Sequence, residues 1–260
     1  MNNQPPKSVI LIRHGESEYN SLARRKESEP LFQKLKASYD RSPTSRRTRD
    51  LAEKLQKKLT APWGDHNIPL TQEGMRQAKV TGEKLRNTLA STDVIFVSPY
   101  VRTRDTLAHM MDGCPELRYV PVVEDILLRE QKYGLGILFN DWRVFQALMP
   151  EQKKYRDLDG PYWYQYPQGE SIPDVQLRMR IFALDTLAKY AGRNVLIISH
   201  HRTILSYVAN QKNLSPEQVL ALDKKERPAN CGVTTLIGDN YFGDCKGLKL
   251  EYYNRCFWKD

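Results

Sequence analysis

Arg13 and His14 are the residues whose types and position most clearly suggest chemistry, because they directly follow the apolar residues 9–12. Such a run predicts a buried strand. The residues after a parallel strand of an α/β protein lie at the ligand-facing edge of the sheet. A guanidinium can bind two phosphate oxygens, and an imidazole can attack phosphorus. The pair therefore predicts a site for a phosphorylated ligand, against the alternative of a strand that merely ends in polar residues.

Further polar motifs follow the first one along the chain. In order, they are Ile68-Pro69-Leu70-Thr71-Gln72-Glu73-Gly74 with Gln77-Ala78, Ser98-Pro99-Tyr100-Val101-Arg102-Thr103, Leu128-Arg129-Glu130-Gln131, Gly169-Glu170-Ser171 with Asp174 and Arg178, and Ser199-His200. Each fragment is weak alone. Together with the opening Arg13-His14-Gly15-Glu16-Ser17, they resemble the histidine phosphatase superfamily from about residue 8 to about residue 207. That family includes the cofactor-dependent phosphoglycerate mutases and the histidine acid phosphatases.

The resemblance implies a role for each of five catalytic candidates. His14 would be the nucleophile and would be transiently phosphorylated. Arg13 and Arg102 would bind the phosphate oxygens, and His200 would add a third donor whose charge the sequence leaves open. Glu130 would be the general acid that protonates the leaving oxygen. The same set implies phosphoryl transfer that needs neither a metal nor a cofactor.

Two further residues are expected at the substrate. Asn20 lies six residues after His14, where the family often has an Asn near the phosphate. His201 stands where relatives often carry Gly or a small polar residue, so it could add a substrate contact or narrow the site. His66 and His109 are expected to be structural or surface residues.

Alternative roles remain open for two of the candidates. Glu130 could be an ordinary ion-pair partner of the adjacent Arg129, in which case Glu124 or Asp125 would be the acid. Arg102 could pair with an acidic residue on the surface instead of binding phosphate. Neither choice follows from the sequence.

The residues after the candidate acid bear on the reaction type. Phosphoglycerate mutases of the family usually have Glu-Arg-x-Tyr-Gly, whereas this chain has Glu130-Gln131-Lys132-Tyr133-Gly134. The sequence therefore favours a phosphatase that hydrolyses a phosphate monoester over a mutase. A catalytically weak protein that binds phosphorylated ligands is a third hypothesis, although none of the five catalytic residue types is missing.

Alternating strands and helices must position these residues. Strands are expected at residues 9–12, 94–97, 119–123, 195–198, 232–237 and 248–252, and helices at about 72–89, 102–111, 173–187 and after 200. This alternation predicts one α/β domain over residues 1–260, a three-layer sandwich whose mostly parallel central sheet has helices on both faces.

Two long segments interrupt the alternation, at residues 21–66 and 139–168. The first contains helical candidates at 30–39 and 50–59, and the second is rich in Trp and Tyr. Long excursions of this kind usually lie over the active site, so both are expected to cap the substrate. Alternatively, the aromatic residues pack on each other, and the first segment is a docking arm for a partner.

Charge and composition bound the remaining possibilities. The formal net charge is +9, and residues 21–60 hold 12 Lys/Arg against 5 Asp/Glu. Such a surface attracts anions, but aromatic residues are not interleaved with the charges, so nucleic-acid binding is not expected. No apolar run approaches the roughly 18–20 residues of a membrane span. The N-terminal residues lack a secretory signal, and the four cysteines form no Cys-x-x-Cys pair, so a cytoplasmic location is expected.

Overall fold

Six strands form one mixed sheet in the computed structural model, which describes residues 4–58, 62–238 and 247–259. They are β1 (Ser8–Arg13), β2 (Val94–Val97), β3 (Val122–Glu124), β4 (Asn194–Ser199), β5 (Val233–Gly238) and β6 (Leu248–Arg255). Their order is β3-β2-β4-β1-β5-β6. The first four strands in that order are parallel to one another, and β5 is antiparallel to both of its neighbours, β1 and β6.

Eleven α-helices accompany the sheet in the described ranges. They are α1 (Glu18–Glu27), α2 (Pro30–Arg41), α3 (Arg46–Lys58), α4 (Gln72–Lys84), α5 (Arg86–Leu89), α6 (Val101–Gly113), α7 (Trp142–Leu148), α8 (Pro150–Trp163), α9 (Ile172–Ile181), α10 (His201–Gln211) and α11 (Pro216–Lys225). Short 3-10 turns lie at Asp65–Asn67, Pro115–Tyr119, Ile126–Leu128, Gly134–Phe139, Leu187–Tyr190 and Phe257–Lys259, and a π-helical turn at Phe182–Thr186.

Alternation along the central strands creates two hydrophobic cores, one on each face of the sheet. In β1, Ile10 and Ile12 belong to one core, while Val9 and Leu11 belong to the other. Since successive side chains of a strand point to opposite faces, one apolar run fills both cores. α4 and α6 pack in the first core, and α9 and α10 pack in the second. The predicted three-layer α/β architecture is confirmed.

Residue contacts divide the chain into two units. The first comprises Met1–Ser17, His66–Glu130 and Val175–Asp260, and it contains the whole sheet. The second comprises Glu18–Asp65 and Gln131–Asp174, which include both segments that interrupt the alternation. Thus two stretches that are distant in the sequence associate into one unit.

The second unit has a hydrophobic core of its own. Phe32 and Leu35 of α2, Leu55 of α3 and Phe145 of α7 are buried together there. A buried ion pair joins Lys26 to Asp141 at 2.7 Å, and the Lys26 ammonium also donates to the backbone carbonyl of Asn140 at 3.1 Å. Most of the aromatic residues of the second interruption pack on one another in this unit.

Most expected elements lie where the sequence predicts them, with a few differences. The third strand is shorter than expected, because residues 115–119 form a 3-10 turn and Pro121 offers only its carbonyl, which accepts from Ile95. α3 begins four residues early, since Ser45 caps it by accepting the Thr48 N–H. Leu59, the last residue of that expected helix, lies outside the described residues, as does Cys245. α1, α7, α8 and α11 were not predicted.

Candidate active site

His14 follows directly after β1 and is almost fully buried, with 3% of its surface exposed. Its Nδ1 lies 2.7 Å from the carbonyl oxygen of Gly15. A carbonyl only accepts, so Nδ1 carries the proton and Nε2 keeps its lone pair. Burial, followed by the charges of Arg102 and Arg13, lowers the pKa of His14 well below its ordinary value. The ring is therefore a neutral base with one defined nucleophilic nitrogen.

Gly15 permits a close backbone approach beside His14. A Cβ built on Gly15 would lie 2.4 Å from the carbonyl oxygen of Gly74, so no larger residue fits. The Gly15 N–H donates to Thr106 Oγ1 at 2.9 Å, and Thr71 caps α4 by accepting the Gly74 N–H at 3.0 Å. The loop after β1 is thereby fixed against the start of α4 and the middle of α6.

The segment before β5 also supports the His14 loop. The Arg13 guanidinium donates to the Pro228 carbonyl at 2.8 Å. Asn230 donates its side-chain amide to the His14 carbonyl at 3.1 Å, and the Cys231 N–H donates to the Arg13 carbonyl at 3.1 Å. These bonds fix the backbone of the Arg-His pair to the segment before β5.

Arg102 occupies the first turn of α6 and is 4% exposed. Its guanidinium carbon lies 4.8 Å from the centre of the Tyr100 ring, a cation–π contact. Tyr100 in turn lies 5.1 Å, ring centre to ring centre, from His200. Arg102 is thus buried close to His14 and His200, and its charge lowers the pKa of both rings.

His200 follows β4, the strand next to β1, and occupies the N-cap position of α10. Its ring centre is 5.2 Å from that of His14. Its Nε2 is 2.8 Å from Ser98 Oγ, and its buried Nδ1 makes no hydrogen bond to any described residue. Burial, then the charges of Arg102 and His14, lowers the pKa of His200 well below its ordinary value. The sequence left its charge open; here the ring is neutral.

Glu130 ends the segment that follows β3. Its Oε1 accepts the backbone N–H of Arg202, in the first turn of α10, at 3.1 Å. Thr203 Oγ1 donates to the Arg129 carbonyl at 2.6 Å, and Ser199 Oγ donates to the Leu128 carbonyl at 2.8 Å. The segment that carries Glu130 is thus bound to the end of β4 and the start of α10.

The two alternative acids have other partners. Glu124 lies 3.6 Å from Arg104 in an exposed ion pair. Asp125 caps the following turn by accepting the Leu127 N–H at 2.8 Å. Their carboxylates are accounted for by local structure, whereas Glu130 lies at the N-terminus of α10, which begins directly after His200.

His201 is buried and its Nε2 lies 2.5 Å from Asp223 Oδ1 on α11. The other oxygen of Asp223 pairs with the Arg202 guanidinium at 2.9 Å. Burial alone would raise the pKa of Asp223, but the hydrogen bond from His201 and the charges of Arg202 and Arg227 lower it. Sequence reasoning missed Asp223, because nothing in the local pattern of α11 distinguishes this acid from its surface neighbours.

Two other expected residues belong to the second unit. Asn20 lies in α1. Gln131, which replaces the mutase-type arginine, is buried and donates its side-chain amide to the Glu170 carbonyl at 2.7 Å. The Glu170 carboxylate in turn accepts the Lys132 N–H at 2.9 Å. The two motifs that contain Gln131 and Glu170 are therefore joined within that unit.

The side chains and helices of residues 4–58, 62–238 and 247–259, the described ranges, bear on metal binding and on membrane spanning. Within those ranges, no three His, Cys, Asp or Glu side chains are grouped as metal ligands would be. None of the described helices has both the length and the apolar character needed to cross a bilayer.

Known proteins resemble this chain in sequence and in fold. A phosphoglycerate mutase-like protein of Arabidopsis thaliana is 30% identical over 187 residues, which are 68% of this chain and 52% of that protein. The chain spans about half the length of such curated relatives. A 2,3-bisphosphoglycerate-dependent phosphoglycerate mutase of Gloeobacter violaceus is 33% identical over 161 residues, 60% of this chain and 69% of the other.

A solved structure and a family model agree with these similarities. The alpha-ribazole phosphatase of Shigella flexneri superposes with a TM-score of 0.65 at 19% identity, over 95% of this chain and 96% of the other. At that identity the likeness concerns the fold. The model of the histidine phosphatase superfamily (branch 1) matches residues 52–250, which include Arg102, Glu130 and His200, while Arg13 and His14 precede the matched range. On this evidence, the chain belongs to the histidine phosphatase superfamily.

Proposed function

We propose that this chain is a phosphatase that hydrolyses a phosphate monoester through a phosphohistidine at His14. The observation that carries the proposal is the state of His14, a buried neutral imidazole whose Nδ1–H is held by the Gly15 carbonyl. Such a ring needs no base to activate it, because its Nε2 lone pair is already free for attack. The two arginines that lower its pKa are also suitable ligands for a phosphoryl group.

In the first step, His14 Nε2 attacks phosphorus, a nitrogen–phosphorus bond forms and the ester oxygen leaves. Glu130 gives its proton to the leaving oxygen, which departs as an alcohol. Arg13 and Arg102 balance the charge on the equatorial oxygens. We assign the proton of neutral His200 to Nδ1, because the Ser98 hydroxyl can donate to Nε2 at 2.8 Å. His200 would then donate one hydrogen bond to a phosphoryl oxygen.

In the second step, water attacks the phosphorus of phosphorylated His14. Glu130, now ionised, takes a proton from the water, the nitrogen–phosphorus bond breaks, and inorganic phosphate leaves. The cycle restores the neutral imidazole and the protonated Glu130. One carboxyl group thus serves as acid and then as base.

Hydrolysis is favoured over mutase-type transfer by the residue that follows Glu130. Gln131 stands in place of the usual arginine of the mutase pattern, and its amide is engaged with the Glu170 backbone. A neutral amide lacks the charge with which an arginine would hold a second anionic group of a phosphorylated acid. Mutase-type isomerisation stays the second candidate, because similar sequences include proteins named phosphoglycerate mutases.

The charge of the second unit suggests an acidic or multiply phosphorylated substrate. Arg46, Arg47 and Arg49 of α3 and Lys34 of α2 are exposed. A concentration of like charge attracts anionic ligands and raises their association rate. That residues 21–66 and 139–168 cap the substrate, and that Asn20 and His201 contact it, stay predictions.

The test is phosphate release from a panel of monoesters, including sugar phosphates, phosphoglycerates and inositol polyphosphates. We expect release by the wild type, and a loss of at least about 1,000-fold in His14→Ala, since no other residue replaces the nucleophile. His109→Ala, which changes a partly exposed histidine of α6, is the matched control and should keep full activity. Isomerisation of 3-phosphoglycerate without phosphate release would instead make the chain a mutase.

A further inference from the structure

We propose that Asp223 is a positioning residue that acts through His201 and Arg202 to hold Glu130 in place as the general acid. This inference rests on the proposed phosphatase function and adds a part of the site that the family motifs do not contain. It also gives His201 a role other than substrate contact. All the residues involved lie in the first unit.

Asp223 binds the first turn of α10 through both of its carboxylate oxygens. Oδ1 lies 2.5 Å from His201 Nε2, and Oδ2 lies 2.9 Å from the Arg202 guanidinium. The carboxylate is 8% exposed, so these partners replace the water that it loses on folding. Arg227, at 3.7 Å, adds a weaker positive contact. A buried carboxylate that accepts a hydrogen bond from His201 and forms an ion pair with Arg202 restrains the orientation of both side chains.

The same turn of α10 holds the candidate acid through its backbone. The Arg202 N–H donates to Glu130 Oε1 at 3.1 Å, and Thr203 Oγ1 donates to the carbonyl of the preceding residue, Arg129, at 2.6 Å. A change in the position of this turn therefore moves the carboxyl of Glu130. Asp223 on α11 thus restrains the first turn of α10, and the backbone of that turn binds Glu130.

Electrostatics give the Asp223 contact a second consequence. The backbone N–H of Arg202 donates to Glu130. The guanidinium of the same residue is therefore a potential counterion for the Glu130 carboxylate. Its ion pair with Asp223 holds the guanidinium at a different carboxylate. If Asp223 loses its charge, the guanidinium is released beside Glu130, and a nearby positive charge favours the ionised form of a carboxyl. An ionised Glu130 cannot protonate the leaving group.

His201 completes the arrangement because of its size and its donor. The resemblance leads us to expect Gly or a small polar residue here, and neither could span the distance to α11. The imidazole reaches Asp223 and is itself 7% exposed. The hydrogen bond to Asp223 requires an N–H at this position. A side chain without one would leave a buried carboxylate oxygen without its closest donor.

The experiment compares substrates that differ in their need for an acid. p-Nitrophenyl phosphate has a stable leaving anion, whereas glycerol 2-phosphate needs a proton on the departing oxygen. We expect Asp223→Asn to slow single-turnover phosphorylation by glycerol 2-phosphate by about 10-fold or more, and by p-nitrophenyl phosphate by less than about 3-fold. Glu226→Gln, an exposed neighbour, is the matched control and should change neither rate.

His201 supplies a second pair of variants in case Asp223→Asn is unstable. His201→Gln keeps an N–H for Asp223 and should lose less activity on glycerol 2-phosphate than His201→Leu, whose loss should be selective for that substrate. In the Glu130→Gln background, Asp223→Asn should add no further selective loss, because both changes remove the same acid.

Two results would overturn the inference. Equal losses on both substrates would mean that Asp223 and His201 support the fold only. A further selective loss from Asp223→Asn in Glu130→Gln would mean that Asp223 acts on something other than Glu130. Retained activity in His14→Ala is a different failure, because it would contradict the phosphohistidine mechanism itself.

Discussion

Three buried histidines, His14, His200 and His201, distinguish this site at the level of single residues. Burial is the largest cause that lowers the pKa of each ring, and the charge of Arg102 or Arg202 adds to it. A histidine next to two arginines could not attack phosphorus if it were protonated. In the proposed mechanism, the positive charge that would bind phosphate also keeps His14 in the form that can attack.

These lowered pKa values predict how stability depends on pH. In the unfolded chain each histidine takes up a proton near its ordinary pKa of 6.5, while the folded chain keeps it neutral to lower pH. Below pH 6.5 the unfolded state therefore binds more protons, so the free energy of unfolding falls as the pH falls. We expect His200→Asn to make this decline shallower by about 1.4 kcal/mol per pH unit.

Urea denaturation between pH 5 and 7.5 measures that slope. His109→Asn is the control, because His109 is about one-third exposed beside Asp112 and should leave the slope unchanged. An unchanged slope in His200→Asn would show that His200 is not held neutral in the folded protein.

At the level of elements, the site depends on what the ends of neighbouring strands bring together. β1 and β4 are adjacent and parallel, so Arg13 and Ser199 are register partners, and His14 and His200 follow side by side. The sequence predicted these strands, because their apolar runs are short and continuous. It could not predict how closely the loop after β1 approaches α4, because that distance depends on tertiary packing.

Gly15→Ala tests the importance of that approach. The added Cβ would lie 2.4 Å from a backbone carbonyl, which has no side-chain freedom with which to move away. We expect a loss of about 1–3 kcal/mol of stability, as for other overpacked sites, together with a lower kcat because His14 shifts. Gly192→Ala is the control: its Cβ would meet nothing within 4 Å, and only its φ of +70° makes it unfavourable. Melting temperatures and kcat are measured for both; an unchanged kcat in Gly15→Ala would contradict the argument.

At the scale of the whole molecule, motifs near strand ends were easier to predict than long-range partners. Residues of the Arg13, Arg102, Glu130 and His200 motifs are joined to neighbouring elements within one unit, as their order in the chain suggested. Asp223 could not be predicted, since its partner His201 is 22 residues away and on another helix. The sequence shows the charge and the aromatic content of residues 21–66 and 139–168. It does not show that the two segments share one hydrophobic core.

In the proposed mechanism, the residues at the ends of β1 and β4 make His14 a phosphoryl acceptor. Glu130→Gln with p-nitrophenyl phosphate is the most direct test. That leaving group needs no acid, but the second step lacks its base, so the phosphoenzyme should accumulate. Alkaline quench with labelled substrate, followed by peptide mapping, should find an acid-labile phosphate on His14 that approaches one per chain and is absent from His14→Ala. Label on another residue, or label that persists in His14→Ala, would contradict the mechanism.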